Sequence, residues 1–252
     1  AGELLQTEQS SATTNPLLEK WTGNYGGVPP LDKIQVAHFK PALEAAMKEN
    51  LAEIDKITAN AAAPSFDNTI VEMERSGKLL DRVQTIYGIW SSTMSTKDFQ
   101  GVEEEMEPKL AAFYDQIVQN EKLFQRIEKV YTDEAAMKAL TPEQKRLTWN
   151  YYTNFTRAGA KLDAKSKARL SEINQELASL FTKFSQNQLH DEMEIRLVLT
   201  SKEDLAGLPQ SLVDAAAAAA KEPGTWVIRN TRSSVEPFLT YSSRRDLREK
   251  AW

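Results

Sequence analysis

Between Phe39 and Phe184 apolar residues return every three or four positions, and that repeat confines the chain to a helical architecture. Phe39, Leu43, Met47, Leu51 and Ile54 share one helix face, and the AAAPS segment stops that helix near Pro64. A second helix is expected from Ser65 as N-cap, with Ile70, Met73, Leu80, Val83, Tyr87 and Trp90 inward. Gly77 falls on its stripe, where a neighbouring helix would come close. A third is expected over residues 98–131, facing the core with Val102, Met106, Leu110, Phe113, Ile117, Phe124 and Ile127. Pro108 should kink or break it. Thr141-Pro142-Glu143-Gln144 has the N-cap, the first-turn proline and the third residue of a capping box. The helix it starts carries Leu147, Tyr151 and Phe155 and stops near Gly159. Over residues 163–188 the stripe is Leu170, Ile173, Leu177, Leu180 and Phe184, the spacing of a coiled-coil seam. Lys165, Lys167, Arg169, Glu172 and Glu176 make its polar face.

After this run the period changes. Residues 194–199 (EIRLVL) alternate polar and apolar, and Trp226-Val227-Ile228 is a second short strand. The fold class expected is therefore mainly α, with a small two-strand element near 195–199 and 226–229. Ser201-x-x-Asp204 caps a short helical turn, and the alanines at 215–220 lie in a helix ended by Pro223-Gly224. Ser243-x-x-Asp246 starts a last helix that meets the end of the chain at Trp252 without a stop signal, which reads as a truncation. Residues 1–14 read as a disordered polar leader, and residues 15–30 as a loop anchored by Trp21 and Tyr25. A processed N-terminus of this kind favours the periplasm over the cytoplasm.

Charge and composition narrow the function classes. A net charge of −5 argues against nucleic acid as a partner, since phosphate needs a basic face. No apolar run is long enough to span a membrane. There is no cysteine, and His38 and His190 are the two histidines. They lie too far apart in sequence for the i, i+4 pair of a helix-borne zinc site.

The candidate chemistry is correspondingly thin. His190-Asp191-Glu192-Met193-Glu194 approaches the His-Glu-x-x-His pattern, but has Asp in the second place and Glu in the fifth. A solvated helix end, where helix gives way to strand, is the expected role. An unrelated enzyme built on His190 and nearby carboxylates is a competing reading, and that transition argues against it. His38 is expected as a neutral capping or packing histidine. Asp98, Glu103, Glu104, Glu105 and Glu107 read as a solvated first helical turn. Arg244, Arg245, Arg248 and Lys250 read as surface. Thr231-Arg232-Ser233-Ser234 offers hydroxyls without a base in sequence reach. The expected catalytic, cofactor-binding and metal-ligating residues of this chain are therefore none.

Several segments, in order, resemble the M3 (thimet oligopeptidase-like) zinc peptidases. They are PPLDKIQVAHFKPALEAAM (Pro29 to Met47), PSFDNTIVEMERSGKLLDRV (Pro64 to Val83), RAGAKLDAKSKARLSEINQELASLFTKFSQNQL (Arg157 to Leu189), DLAGLP (Asp204 to Pro209) and YSSRRDLREKAW (Tyr241 to Trp252). NPLL, YGGVPP and NTRSSVEPFL are most similar to the bacterial peptidyl-dipeptidase branch. The resemblance implies a large, mainly helical, two-lobed enzyme whose channel admits short peptides. It implies zinc held by a His-Glu-x-x-His helix and a downstream Glu, none of which matches a position here. Residues 15–252 would then be the N-terminal helical region and part of the channel wall. Its partners would be the catalytic remainder of the same peptidase and short peptide substrates. Zinc would belong to the complete protein and not to this chain, which alone would be inactive. A surface meant for the missing lobe would be left exposed. The alternative is a stand-alone helical interaction module without catalysis.

Overall fold

The computed structural model describes residues 14–252 and divides into two compact units, one ending at Leu180 and the other running Phe181–Trp252. Both are mainly helical, and the described residues contain one two-stranded sheet. The leader expected over residues 1–14 lies, apart from Thr14, outside the described residues. No helix among the described residues is long and apolar enough to cross a membrane.

In the first unit α1 (Val36–Ala59) packs on α3 (Lys78–Thr93) and α4 (Lys97–Val118). Phe39, Leu43 and Ile54 of the first apolar stripe are fully enclosed between them. Ser65 caps the next segment as expected. Its hydroxyl accepts from the Asn68 N–H at 3.1 Å, and Asn68 Oδ1 accepts from the Ser65 N–H at 2.8 Å. The expected continuous second helix is broken, however. A wide turn over Phe66–Val71 and α2 (Glu72–Arg75) lead to Gly77, whose φ of 72° stops the helix, and α3 restarts behind it. Close approach at Gly77 is real: an added Cβ would come within 3.2 Å of the Asn50 side chain on α1. Glu53 of α1 accepts from the Gly77 N–H at 2.7 Å, so a carboxylate from another helix caps the start of α3.

The third stripe also divides, but not at its proline. Pro108 sits inside one uninterrupted helix, α4, and the break falls at Gln119-Asn120. The carbonyl that Pro108 leaves without a donor belongs to Glu104, which is exposed and can bond water. Asn120 restarts the chain as N-cap of α5 (Glu121–Thr132), its side chain accepting from the Leu123 N–H at 3.0 Å. A short α6 (Glu134–Ala139) follows. The Thr141 capping box is formed as expected and opens α7 (Pro142–Arg157).

The helix expected over 163–188 is α8 (Ala164–Glu194) and runs farther than its stripe. Its seam is not buried. Ile173, Leu177, Leu180 and Phe184 are 37%, 41%, 53% and 70% exposed, while Lys167, from the face expected to be polar and solvated, is buried.

In the second unit β1 (Arg196–Leu199) pairs antiparallel with β2 (Trp226–Arg229), Val198 opposite Val227, in the ribbon expected from the alternation. α9 (Gln210–Ala219) holds the alanine run. Leu199, Leu212, Ala216, Ile228, Phe238 and Leu247 close a small core. Phe238 comes from α10 (Arg232–Tyr241), a helix hidden in the sequence by Pro237 in its interior. The last helix, α11 (Arg245–Ala251), starts after Arg244 and not from a Ser243 cap, because Asp246 is engaged by Arg244.

Candidate functional site

The residues weighed as chemical groups are almost all occupied in holding the fold. His38 Nδ1 accepts from the Gln35 N–H at 3.0 Å, and its carbonyl accepts from Asn15 Nδ2 at 2.8 Å. It is therefore the capping histidine expected at the start of α1. His190 is exposed on α8, one turn before the helix ends, so the helix continues through the segment where a transition to strand was expected. Glu192 beside it accepts from Gln188 at 3.3 Å. Among the described residues no three His, Asp or Glu side chains converge into a set able to hold a metal.

The acidic run differs from its expected role as a solvated first turn. It sits deeper in α4. Glu103 is buried and accepts from Ser91 Oγ at 2.5 Å, and Glu107 accepts from the Tyr87 hydroxyl at 2.8 Å. Burial first, and the Glu107 charge second, push the Tyr87 phenol far above its usual value. Glu105 bridges Lys40 at 2.7 Å and Lys109 at 2.8 Å, and Lys109 also reaches Glu44 at 3.0 Å. The hydrogen bonds from Lys109 and then Lys40 hold the Glu105 carboxyl at about 2. Its folded value lies below its unfolded one. The contribution is therefore present above the ordinary carboxylate range and is lost as pH falls through about 2. Glu105→Gln should lower the denaturant midpoint slightly at neutral pH and at low salt. The difference from the parent should vanish below pH ~2, and also at ~1 M salt, because the group is solvent-exposed. A difference that persists in acid would place the effect elsewhere.

The basic run is likewise not plain surface. Arg244 forks to Asp246 at 3.0 and 2.8 Å and reaches Asp204 at 2.9 Å. Asp204 in turn accepts from the Thr200 and Ser201 N–H groups at 3.2 and 3.1 Å. Arg248 donates to the Ser242 carbonyl. Ser234 Oγ accepts from the Arg229 N–H at 3.0 Å, which assigns that hydroxyl to a turn and not to a nucleophile.

Sequence reasoning missed Arg126. It is buried on α5 and donates to the carbonyls of Asn60 and Ala62 at 2.9 and 3.3 Å and to Asn68 Oδ1 at 2.9 Å. It fixes one end of an open cleft of about 510 Å³ lined by Glu53, Lys56, Asn60, Asp67, Glu72 and Arg75 among others. The lining carries both signs of charge, Glu53, Asp67 and Glu72 against Lys56 and Arg75. No signal in the local sequence marks Arg126, since all its acceptors lie about sixty positions away.

The side chains described above are thus engaged in the fold, and comparison with known proteins adds what the chain is similar to. It is 33% identical to the dipeptidyl carboxypeptidase of Escherichia coli K12 over 241 residues, which is 94% of this chain. The Salmonella typhimurium dipeptidyl carboxypeptidase is 32% identical over an equal share. This chain is homologous to the M3 oligopeptidases. Oligopeptidase A of Escherichia coli K12 aligns over 95% of it at 25% identity. The chain spans about a third of the length of these M3 relatives, 35% in each of the three. No family model matches it.

Proposed function

We propose that this chain is the N-terminal helical portion of a zinc-dependent peptidase that releases dipeptides from the C-termini of short peptides. The observation that carries the reading is the alignment of nearly the whole chain with a third of each relative. The two dipeptidyl carboxypeptidases, at 33% and 32% identity, stand above the oligopeptidases A, at 24–26%. That difference favours dipeptide release over internal cleavage. Two observations support leaving the zinc outside this chain: His38 is spent on a helix cap, and no three His, Asp or Glu side chains converge among the described residues. The metal and the chemistry on the peptide bond then belong to the remaining two-thirds of the protein. This portion supplies a rigid helical lobe and part of the wall past which the peptide enters. A periplasmic location, with the cytoplasm as the alternative, is part of this proposal, and fractionation of the source cells checks it.

The native polypeptide, incubated with a short N-terminally blocked peptide, should release the C-terminal dipeptide and stop when a chelator removes zinc. The 252-residue chain should release nothing. Cleavage by the 252-residue chain alone, or chelator-resistant cleavage by the native polypeptide, would overturn the reading.

A further inference from the structure

α8 is built the wrong way round for a helix of a finished surface. An amphipathic helix turns its apolar stripe inward and its polar face to water. Here Ile173, Leu177, Leu180, Phe181 and Phe184 stand open, the last two at 67% and 70% exposure. The positions on the opposite side, Ser171, Gln175, Ala178 and Thr182, are less exposed, and all but one are polar. Asn174 at the edge of that side is tied to Asp115 at 2.7 Å. The polar face is therefore fixed by directed bonds, and the helix cannot simply roll over to hide its leucines. Five large apolar side chains in one stripe mark a surface that another element covers.

We infer that this stripe is the seat of an amphipathic helix from the portion of the peptidase that lies outside these 252 residues. The inference rests on the functional reading above. Two observations choose the occupant. The relatives carry about twice this length again beyond the aligned third, so there is ample chain to supply a helix. The spacing of Leu170, Ile173, Leu177, Leu180 and Phe184, alternately three and four, is the seam that a second helix fills knob into hole. A peptide in extended form would not match that period, since its side chains repeat every two residues. The two phenylalanines at the end of the stripe supply the large anchors that dominate such contacts.

The absence of cysteine in this chain makes the test direct. Leu177→Cys and Phe184→Cys are made singly in the native polypeptide and in the 252-residue chain, with Glu172→Cys on the solvated face as control. Labelling by a thiol reagent is followed peptide by peptide by mass spectrometry. Cys at 177 and 184 should label at least ~10-fold more slowly in the native polypeptide than in the short chain, and Cys at 172 equally in both. Equal labelling at all three sites overturns the inference. If the native polypeptide nevertheless releases dipeptides, the functional reading survives it. Slow labelling in the short chain that speeds up on dilution would give the seat to a second copy and also overturn the inference. As a second variant, Leu180→Glu with Phe184→Glu should leave the short chain folded and more soluble. The same pair should cost the native polypeptide its cooperative unfolding.

Discussion

Phe39→Ala should destabilise the first unit by about 3–5 kcal/mol, the range for removing a fully enclosed aromatic ring. Phe39 has no exposed surface, and its ring meets Trp90 and Phe99 at 5.3 Å and Tyr87 at 6.0 Å. These partners come from α3 and α4, so one ring joins three helices at their common crossing. The cavity would be walled by other large rings and by fixed backbone, which leaves little room for collapse. Its cost should sit at the upper part of the range for that reason, since unrelaxed cavities carry the larger penalties. Phe39→Leu keeps most of the volume and should cost about 1–1.5 kcal/mol, mostly the loss of edge-on ring contacts. Trp90 lies beside the site, so urea unfolding followed by tryptophan fluorescence reports it. A Phe39→Ala midpoint corresponding to less than about 1 kcal/mol would show that the three helices do not depend on this crossing.

The face of α1 that carries Phe39 was legible because its code is short-range: five apolar residues at helical spacing and a break at Pro64. The same holds for the Thr141 box, where a hydroxyl, a proline and a glutamine in sequence suffice to start a helix. The first strand was legible from its alternation, and the second from the short apolar run Trp226-Val227-Ile228 after Pro223-Gly224. Reading failed where the deciding partner lies far along the chain, or where a residue acts against its usual bias. Pro108 stays inside α4 because the carbonyl it frees belongs to an exposed residue, and Pro237 stays inside α10. Gly77 breaks the helix with its φ of 72°, and its N–H is taken by Glu53, two dozen positions earlier. The Glu103 to Glu107 run could not be known as a set of bridges without α1 and α3 beside it. Periodicity found the stripe of α8 but could not say that Leu177, Leu180 and Phe184 stay exposed among the described residues. As for chemistry, no three His, Asp or Glu side chains converge among the described residues. The likeness to the M3 peptidases was legible from ordered segments of modest specificity.

Arg126→Ala is expected to have the second large effect, about 2–4 kcal/mol, through a loop that it never neighbours in sequence. Its guanidinium donates to the Asn60 and Ala62 carbonyls and to Asn68 Oδ1, which also accepts from the Ser65 N–H and from Thr69 Oγ1 at 3.0 Å. Hydrogen bonds from a charged donor contribute about 1.5–3 kcal/mol each, and those made by one group are not additive. Two terms work against the full sum. Burial lowers the stability of the charged guanidinium, and its Nε has no partner. No carboxylate pairs with Arg126 among the ion pairs of the described residues, so the carbonyls alone compensate the charge. Arg126→Lys should recover less than half of the loss, because an ammonium cannot span three acceptors in the plane that the guanidinium fork matches. The damage should also be local. Amide exchange in residues 60–71 should speed up by ~30-fold or more, since each 1.4 kcal/mol of local opening is tenfold, while the Phe39 crossing keeps its protection. If the Ala and Lys variants unfold within about 0.5 kcal/mol of the parent, the range of ordinary surface substitutions, the loop holds itself through the Ser65–Asn68 box and Arg126 merely covers it.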